Sequence, residues 1–288
     1  MLFYRTARAA VFATGIALSS IGAVRPLCTQ QPPVAELPKI PLFTWRDAVL
    51  AGGFVVGTVA LRKEDERWAE RLQNPRNQTN RLLQDVATGV RTIADPGSFI
   101  IGGTLYVVGR ATKKRDVADL GLHGTEAIVV GGVVATVLKG AFGRARPYVR
   151  PPTDSTGFDP NNWSFGRGYT QEQYRSFPSG HTVAAFAAAA AVTSESTRWL
   201  PRWKWVIGPA MYGGAALVGL SRMYNNKHWA SDVMMGAAIG TFAGTKIVRF
   251  HHRTNPDNKF DKWLLSASVT PAMDGGGMAL SWSVLPTR

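Results

Sequence analysis

The chain has 288 residues, 45% of them hydrophobic, which suits one large domain or two small ones with a sizeable core. Its single cysteine, Cys28, excludes an intramolecular disulfide and a cysteine-based metal site. The formal net charge of +14 indicates an anionic partner. Because the basic residues are scattered and no nucleic-acid-binding motif is present, we expect anionic lipid or a phosphorylated small molecule rather than nucleic acid.

The N-terminus has the pattern of an export signal. Arg5 and Arg8 precede an apolar stretch at residues 9–24, which is long enough for a signal-peptide core and short for a membrane span. We therefore expect a signal peptide or an N-terminal anchor in residues 1–25, with an organellar transit peptide as the alternative. The prolines that follow predict an extended linker over residues 26–44.

From residue 45 to residue 254, apolar runs alternate with charged connectors, and alternating strand patterns are scarce. The runs lie at 48–61, 99–108, 127–138, 182–192, 206–220 and 233–248. A further set of apolar residues recurs at helical spacing between the first two runs: Leu82, Leu83, Val86, Val90 and Ile93. We predict an all-α domain over residues 45–254, a helical bundle of about six core helices.

The pattern changes in the C-terminal tail, residues 255–288. Small and apolar residues alternate with serines on both sides of a glycine-rich turn at 274–277. The alternating apolar positions are Leu265, Ala267, Val269, Leu280, Trp282 and Val284. This alternation predicts a β-hairpin, with strands within 264–273 and 278–284.

The apolar runs leave two arrangements open. Most runs hold 10 to 16 residues, fewer than a full membrane span, and the mean hydropathy is −0.05. If the last four runs were spans, basic clusters at 110–115, 198–204 and 249–253 would share one face, as the positive-inside rule predicts. Five basic residues fit that scheme only on the external side: Arg62, Lys63, Arg67, Arg71 and Arg76. The alternative is a water-soluble bundle with apolar central helices.

The first chemical motif places two cations near a helix end. Lys139 closes an apolar run, and Arg146 follows seven residues later, before Pro147. A lysine offers a compact positive charge, and an arginine offers a planar fork that binds two oxygen atoms. Taken alone, the motif also fits a basic helix end that faces lipid headgroups.

The second motif, Pro178, Ser179, Gly180 and His181, precedes an apolar helix. Backbone N–H groups at a helix start form an anion-binding site. We expect Ser179 to cap the helix and to offer its hydroxyl group to a phosphate oxygen. His181 would deliver a proton to the same anion. An ordinary helix cap followed by a surface histidine is the alternative.

The third motif follows Ser221 and Arg222, which end one helix. His228 and Asp232 are predicted to begin the next helix, where a spacing of four places them on one face. A carboxylate bound to one ring nitrogen leaves the other nitrogen as a nucleophile or base. A solvated pair on a helix surface is the alternative. The remaining histidines have no carboxylate at a useful spacing, and we expect them at helix ends or on the surface: His123, His251 and His252.

Together the three motifs resemble the signature of the type 2 phosphatidic acid phosphatase and vanadium haloperoxidase superfamily. That signature has a lysine, six residues and Arg-Pro, then Pro-Ser-Gly-His, then Ser-Arg, five residues, His, three residues and Asp. All parts occur in order within residues 139–232, about a third of the chain. The resemblance implies that residues 45–254 form a helical phosphatase domain that needs no metal or cofactor.

The resemblance also assigns roles to the matching positions. The residues that would bind phosphate are Lys139, Arg146, Ser179, Gly180 and Arg222. His228 would attack phosphorus to form a phosphohistidine, Asp232 would orient His228, and His181 would protonate the leaving oxygen. The long polar and aromatic segment at 148–177 would be either a substrate-selecting lid or a packed surface loop.

These observations predict an exported, metal-independent phosphoric monoester hydrolase. Its expected substrate is a lipid or isoprenoid phosphate or diphosphate, and its site would lie on the external, periplasmic face of a membrane. A soluble periplasmic acid phosphatase of broad specificity is the nearest alternative. A vanadate-dependent haloperoxidase and a non-catalytic membrane scaffold are further alternatives.

Overall fold

A computed structural model of the chain describes residues 40–152, 154, 156–271 and 278–282. The described residues belong to one compact unit, Lys39–Arg288. The predicted signal segment and most of the predicted linker, residues 1–39, lie outside the described residues. The domain limits inferred from the sequence therefore stay predictions.

The described part of the chain is mostly helical, as predicted. Its helices are α1 (Trp45–Arg62), α2 (Asp65–Leu72), α3 (Pro75–Gln78), α4 (Arg81–Thr92), α5 (Ser98–Ala111), α6 (Arg115–Phe142), α7 (Gly180–Trp199), α8 (Lys204–Tyr224), α9 (Ala230–Arg249) and α10 (Lys259–Leu265). Two strands follow, β1 (Ala267–Pro271) and β2 (Met278–Trp282). A kinked segment, Ile93–Gly97, joins α4 to α5, with Asp95 in an extended backbone conformation, and a single π-helical turn, Phe250–Thr254, extends α9.

The core lies where α6, α7 and α9 meet, and small residues allow these helices to pack closely. The buried cluster consists of Ala127, Ile128, Ala184, Ala187, Ala191 and Val248. A Cβ atom on Gly240 of α9 would lie 2.4 Å from the carbonyl oxygen of Val183, and one on Gly244 would lie 2.4 Å from that of Ala187. The alanine-rich run of α7 is thus a close helix–helix contact.

Helices of the core alternate in direction, which brings the three motifs to one end of the bundle, here called the site end. A Cβ atom on Gly180, at the start of α7, would lie 3.5 Å from Lys139 Cε, near the end of α6. Ser179 N donates to Asp232 O at 3.0 Å, which joins the start of α7 to the start of α9. The other end, here called the opposite end, contains the α5–α6 and α7–α8 connections.

Helix α1 runs from the opposite end to the site end. Asp47, in its first turn, contacts Lys246 Nζ at 2.5 Å and Arg249 NH1 at 3.2 Å near the end of α9. Asp65, in the first turn of α2, accepts a hydrogen bond from Ser231 N at 2.9 Å near the start of α9. Helix α2 therefore brings a carboxylate from far away in sequence to the site end.

Many large apolar side chains face outward from α1, α5, α6 and α8. This set, here called the apolar belt, includes Val55, Val56, Val59, Ile100, Ile101, Val133, Val137, Leu217 and Leu220. Among the described residues, α6 has the length and hydropathy of a membrane span. By itself one such helix gives weak support for membrane insertion, because a core helix of a water-soluble protein can have the same composition.

The predicted amphipathic segment at residues 82–93 forms helix α4, which ends at Thr92. Its apolar residues do not pack into the bundle core: the exposed fractions of Leu82, Val86 and Ile93 are 70%, 46% and 62%. An apolar helix face thus remains outside the core close to the end of α8.

The tail contains two antiparallel strands, with Ala267 opposite Trp282 and Val269 opposite Leu280. The predicted turn at 274–277 lies outside the described residues. Leu265, predicted within a strand, is instead the last residue of α10. The backbone of α10 is anchored to α5 because Tyr106 Oη donates to Leu264 O at 2.7 Å.

The expectation that the three remaining histidines lie at helix ends or on the surface is wrong for His123, which is fully buried. Its Nδ1 lies 2.6 Å from Glu195 Oε1, and His252 Nε2 lies 2.8 Å from the same oxygen. His251 Nε2 lies 2.6 Å from Glu126 Oε2. Glu195 and Glu126 belong to other helices than the histidines that they contact, so local spacing in the sequence could not reveal these pairs. Asp119, four residues before His123 on α6, was at helical spacing and was overlooked.

Candidate active site

The first motif lies at the end of α6, where Gly143 stops the helix. Its φ of +55° is left-handed, and a Cβ atom there would lie 1.8 Å from Ser164 O, so both the turn and the close approach require glycine. The chain then leaves the helix before Arg146. The two cations therefore reach the site from a helix end and from the segment after it, and not from one helical face.

Backbone carbonyls of the 148–177 segment hold both cations of the first motif. Lys139 Nζ donates to Arg175 O at 2.8 Å, and Arg146 Nε donates to Glu172 O at 3.1 Å. Arg146 also pairs with the carboxylate of Glu172. The segment packs on the end of α6 through Phe142 and Phe177, whose ring centroids are 5.4 Å apart. We therefore interpret it as a packed loop that positions cations.

The second motif begins α7, with Ser179 as the residue before the helix. Val183 N donates the first helical hydrogen bond, to Ser179 O at 3.0 Å. The N–H groups of residues 180–182 therefore make no hydrogen bond within the helix. The expected side-chain cap is wrong, because Ser179 Oγ makes no cap bond and instead accepts from Thr182 Oγ1 at 2.8 Å. His181 is partly exposed, with Nε2 3.9 Å from Asp95 Oδ2.

The third motif differs from its prediction at His228, which does not begin a helix. Asp232 Oδ2 accepts from Trp229 N at 2.9 Å, and this bond caps α9 so that the helix starts at Ala230. His228 Nδ1 lies 2.7 Å from Ser176 O and 3.8 Å from Asp232 Oδ2. Because a carbonyl oxygen only accepts, Nδ1 carries the proton and Nε2 is left unprotonated.

Asp232 is connected to His228 through Ser176. It is fully buried and accepts a hydrogen bond from Ser176 Oγ at 2.5 Å, while the Ser176 carbonyl group holds His228. Arg144 NH1 also donates to Asp232 Oδ1 at 2.6 Å. The shorter connection between Asp232 and His228 therefore runs through Ser176, and the orienting role of Asp232 stays a prediction.

Arg144 lies inside the first motif but was not predicted as a site residue. Its side chain is buried, and NH2 donates to Asp65 Oδ2 at 2.7 Å and to Pro160 O at 2.8 Å. Its other amino group bonds Asp232, as described above. The guanidinium group therefore links α2, the 148–177 segment and α9. Nothing in the sequence indicates that Asp65 is its partner.

The electrostatics of the site keep both imidazole rings neutral. Burial, followed by the positive charge of Lys139, lowers the pKa of His228 to about 3. Burial, followed by the charge of Arg222, lowers the pKa of His181 to about 4. Burial alone would raise the pKa of Asp232, but Arg144 and the Ser176 hydrogen bond outweigh it and hold that pKa below its usual range. Asp232 is therefore ionised and lies beside a neutral His228.

Three buried cations act on the same space. Lys139 and Arg146 are each 9% exposed, and Arg222, in the last turn of α8, is 5% exposed. Within the described part of the chain, the buried Arg222 Nε has no hydrogen-bond partner. Buried charge of one sign with an unused donor is the environment that an anion would complete. The site thus has the chemistry of an oxyanion-binding cradle beside an unprotonated ring nitrogen.

Residues 122–256 match the family model of the PAP2 superfamily. A lipid A 1-phosphatase of Porphyromonas gingivalis is 48% identical over 69 residues, which cover 24% of this chain and 15% of that protein. A lipid A 1-phosphatase of Rhizobium johnstonii is 34% identical over 117 residues, 40% of this chain and 41% of that protein. An undecaprenyl-diphosphatase of Sulfolobus acidocaldarius is 35% identical over 89 residues, which cover 31% of this chain and 39% of that protein. The chain thus spans less than half the length of these curated relatives.

The crystal structure of a transmembrane PAP2 type phosphatidylglycerolphosphate phosphatase from Bacillus subtilis superposes with a TM-score of 0.55. The superposition covers 75% of this chain and 100% of that chain, at 20% sequence identity. At this identity the likeness establishes a shared fold. All three motifs lie within the residues that match the PAP2 superfamily model, 122–256, at one end of that fold.

Proposed function

We propose that the chain is a phosphatase that hydrolyses a lipid or isoprenoid phosphate through a phosphohistidine on His228. The observation that carries the proposal is the hydrogen bond from His228 Nδ1 to Ser176 O, 2.7 Å long, which leaves Nε2 unprotonated among buried cations. A neutral imidazole nitrogen is a nucleophile, and phosphoryl transfer needs mainly positioning and charge neutralisation around it.

In the proposed first step, Lys139, Arg146 and Arg222 bind the oxygen atoms of the phosphoryl group. The free N–H groups at the start of α7 complete the cradle. His228 Nε2 attacks phosphorus, and the bond from phosphorus to the ester oxygen breaks. The leaving oxygen takes its proton from His181.

In the proposed second step, His181 takes a proton from water, and the resulting hydroxide attacks the phosphohistidine. The bond from phosphorus to Nε2 breaks, which releases inorganic phosphate and restores His228. His181 is neutral in the free protein, because burial and the charge of Arg222 lower its pKa. A bound phosphate anion offsets that positive charge and raises the pKa of His181, so the substrate itself promotes protonation of the acid.

The proposed lipid substrate rests on the exterior of the bundle. The apolar belt and the exposed face of α4 would lie in and against a membrane. The α5–α6 and α7–α8 connections and the adjoining helix ends form a basic cluster at the opposite end: Lys113, Lys114, Arg115, Arg198, Arg202 and Lys204. The site end also carries basic residues outside the cradle, which include Lys63, Arg67, Arg71 and Lys227. From the basic cluster at the opposite end we propose that the site end faces outward; the basic residues of α2 do not follow the positive-inside rule in this orientation. The relatives named above act on lipid A and on an undecaprenyl diphosphate, which supports this substrate class.

A phosphate-release assay tests the proposal. The full chain is expressed, membranes are washed with carbonate, and phosphate release is measured from lipid A, an isoprenoid diphosphate, phosphatidic acid and p-nitrophenyl phosphate. We expect a lipid substrate to be hydrolysed by the washed membranes, and a short exposure to chelator to leave the rate unchanged within about twofold, because the cations of the cradle are side chains. Absence of release from all four substrates would overturn the proposal. Activity confined to the carbonate wash would favour the soluble acid phosphatase.

The pH dependence of kcat/KM has a predicted sign. Above the pKa of His181, about 4, the protonated fraction of His181 in the free protein falls about tenfold per pH unit. His228, with a pKa of about 3, is already neutral in this pH range. We therefore expect kcat/KM for a lipid phosphate, corrected for substrate ionisation, to fall as the pH rises from 5 to 8. An aryl phosphate needs little protonation of its leaving group, so its profile should be flatter. A rise of kcat/KM with pH for the lipid would contradict the assignment of His181 as acid.

A further inference from the structure

A second buried cluster of metal-ligating side chains lies at the opposite end of the bundle. His123 of α6, Glu195 of α7 and His252 of the turn after α9 each offer one ligand atom, and these atoms lie within 4.8 Å of one another. Glu195 Oε1 is at the centre, 2.6 Å from His123 Nδ1 and 2.8 Å from His252 Nε2. The 16 residues from His123 to Lys139 along α6 separate this cluster from the phosphate cradle by about 24 Å.

Burial distinguishes this cluster from a surface ion pair. The exposed fractions of His123 and Glu195 are 0% and 1%. Asp119, one turn before His123 on α6, is 5% exposed, and its Oδ1 has no hydrogen-bond partner within the described part of the chain. Its other oxygen, Oδ2, lies 3.8 Å from Arg115 Nε, and the spacing of four residues places Asp119 on the same face of α6 as His123. A buried carboxylate oxygen without a donor is costly unless a cation completes it.

We propose that this cluster binds a divalent transition-metal ion such as Zn²⁺. Two imidazole nitrogens and a carboxylate oxygen are donors that Zn²⁺ prefers, and Asp119 would supply the fourth. Ligand atoms at about 2.0–2.2 Å from a tetrahedral ion are about 3.4 Å apart, so the present contacts to Glu195 would lengthen by under about 1 Å. Each imidazole would give up the proton that it shares with Glu195.

Neighbouring groups are arranged to hold the ligands. His251 stacks on His123 with ring centroids 4.3 Å apart, and its Nε2 lies 2.6 Å from Glu126 Oε2. Arg198 NH1 donates to Glu195 Oε2 at 3.2 Å, which leaves Oε1 for the ion. Contacts of this kind fix ligand orientation in metal sites. The ion would join α6, α7 and the segment after α9, and would therefore stabilise this end of the bundle.

The test uses the full chain in detergent, with any affinity tag removed and bound metal stripped by chelator. We expect one Zn²⁺ per chain by titration calorimetry and by elemental analysis after dialysis, and a rise in the unfolding temperature on adding Zn²⁺. Co²⁺ in place of Zn²⁺ should give the visible absorption of a tetrahedral site. Binding should be lost below about pH 6, where imidazoles are protonated.

Ligand variants decide the assignment. His252→Asn removes the partly exposed ligand and should weaken Zn²⁺ binding by at least about 100-fold, as should Glu195→Gln. His228→Asn is the matched control, because it removes an imidazole from the site end of the bundle and should leave the stoichiometry at one. If Glu195→Gln does not fold, His252→Asn alone is decisive. Wild-type protein that retains no Zn²⁺, or a His252→Asn variant that binds like wild type, would overturn the proposal.

Discussion

His228→Asn is expected to reduce phosphate release by about 10³-fold or more, because it removes the nitrogen that attacks phosphorus. The asparagine amide can still donate a hydrogen bond to Ser176 O, where His228 Nδ1 now lies at 2.7 Å. No titrating group is lost in the working range, since burial and Lys139 already keep His228 neutral. The variant should therefore fold and bind phosphate.

The covalent intermediate provides a second readout for His228. Wild-type protein quenched during turnover of a ³²P-labelled substrate should contain label that is stable in base and labile in acid, as a phosphoramidate is. His228→Asn should contain none. His181→Asn should still form the labelled intermediate from an aryl phosphate, because that leaving group needs little protonation. A labelled His228→Asn protein, or a variant that retains more than about a tenth of the wild-type rate, would rule out His228 as the nucleophile.

Arg144→Gln is expected to destabilise the fold by about 3–5 kcal/mol and to abolish activity with it. The guanidinium group is 1% exposed and lies 2.7 Å from Asp65 Oδ2 and 2.6 Å from Asp232 Oδ1. Its loss leaves two buried carboxylates without a cation. Burial already raises the pKa of Asp65, so that carboxyl group would take up a proton and its bonds to α9 would rearrange.

Thermal unfolding of purified variants measures this effect. Arg150→Gln is the matched control, because Arg150 contacts only its own loop among the partners described: it donates to Gly157 O at 2.9 Å and Thr156 O at 3.3 Å and lies over the Phe158 ring. It should unfold within a few degrees of wild type. Asp65→Asn combined with Arg144→Gln removes one of the two buried carboxylates that would have no cation, and should recover part of the lost stability. An Arg144→Gln protein as stable as the Arg150→Gln control would show that the buried pairs are not structural.

The two ends of the bundle differ in how much of their chemistry could be predicted from sequence patterns. At the site end, the residue types that bind and attack phosphate are concentrated in three short motifs at helix boundaries, so each was visible locally. At the opposite end, His123 and Glu195 are 72 residues apart and share no motif. The prediction of surface histidines was wrong there, because only the packing of α6 on α7 brings the imidazole and the carboxylate together.

The sequence by itself determined the mostly helical class, the three motifs and their resemblance to a known family, because apolar periodicity and short motifs are local properties. The tertiary structure decided which group holds each charge. Asp232 caps α9, and this contact places His228 before the helix and under the Ser176 carbonyl group. Arg144 donates a hydrogen bond to Asp65, which is 79 residues away in the sequence. A buried charge is stable only beside its partner, and the partner is chosen by the packing of helices that are distant in the chain.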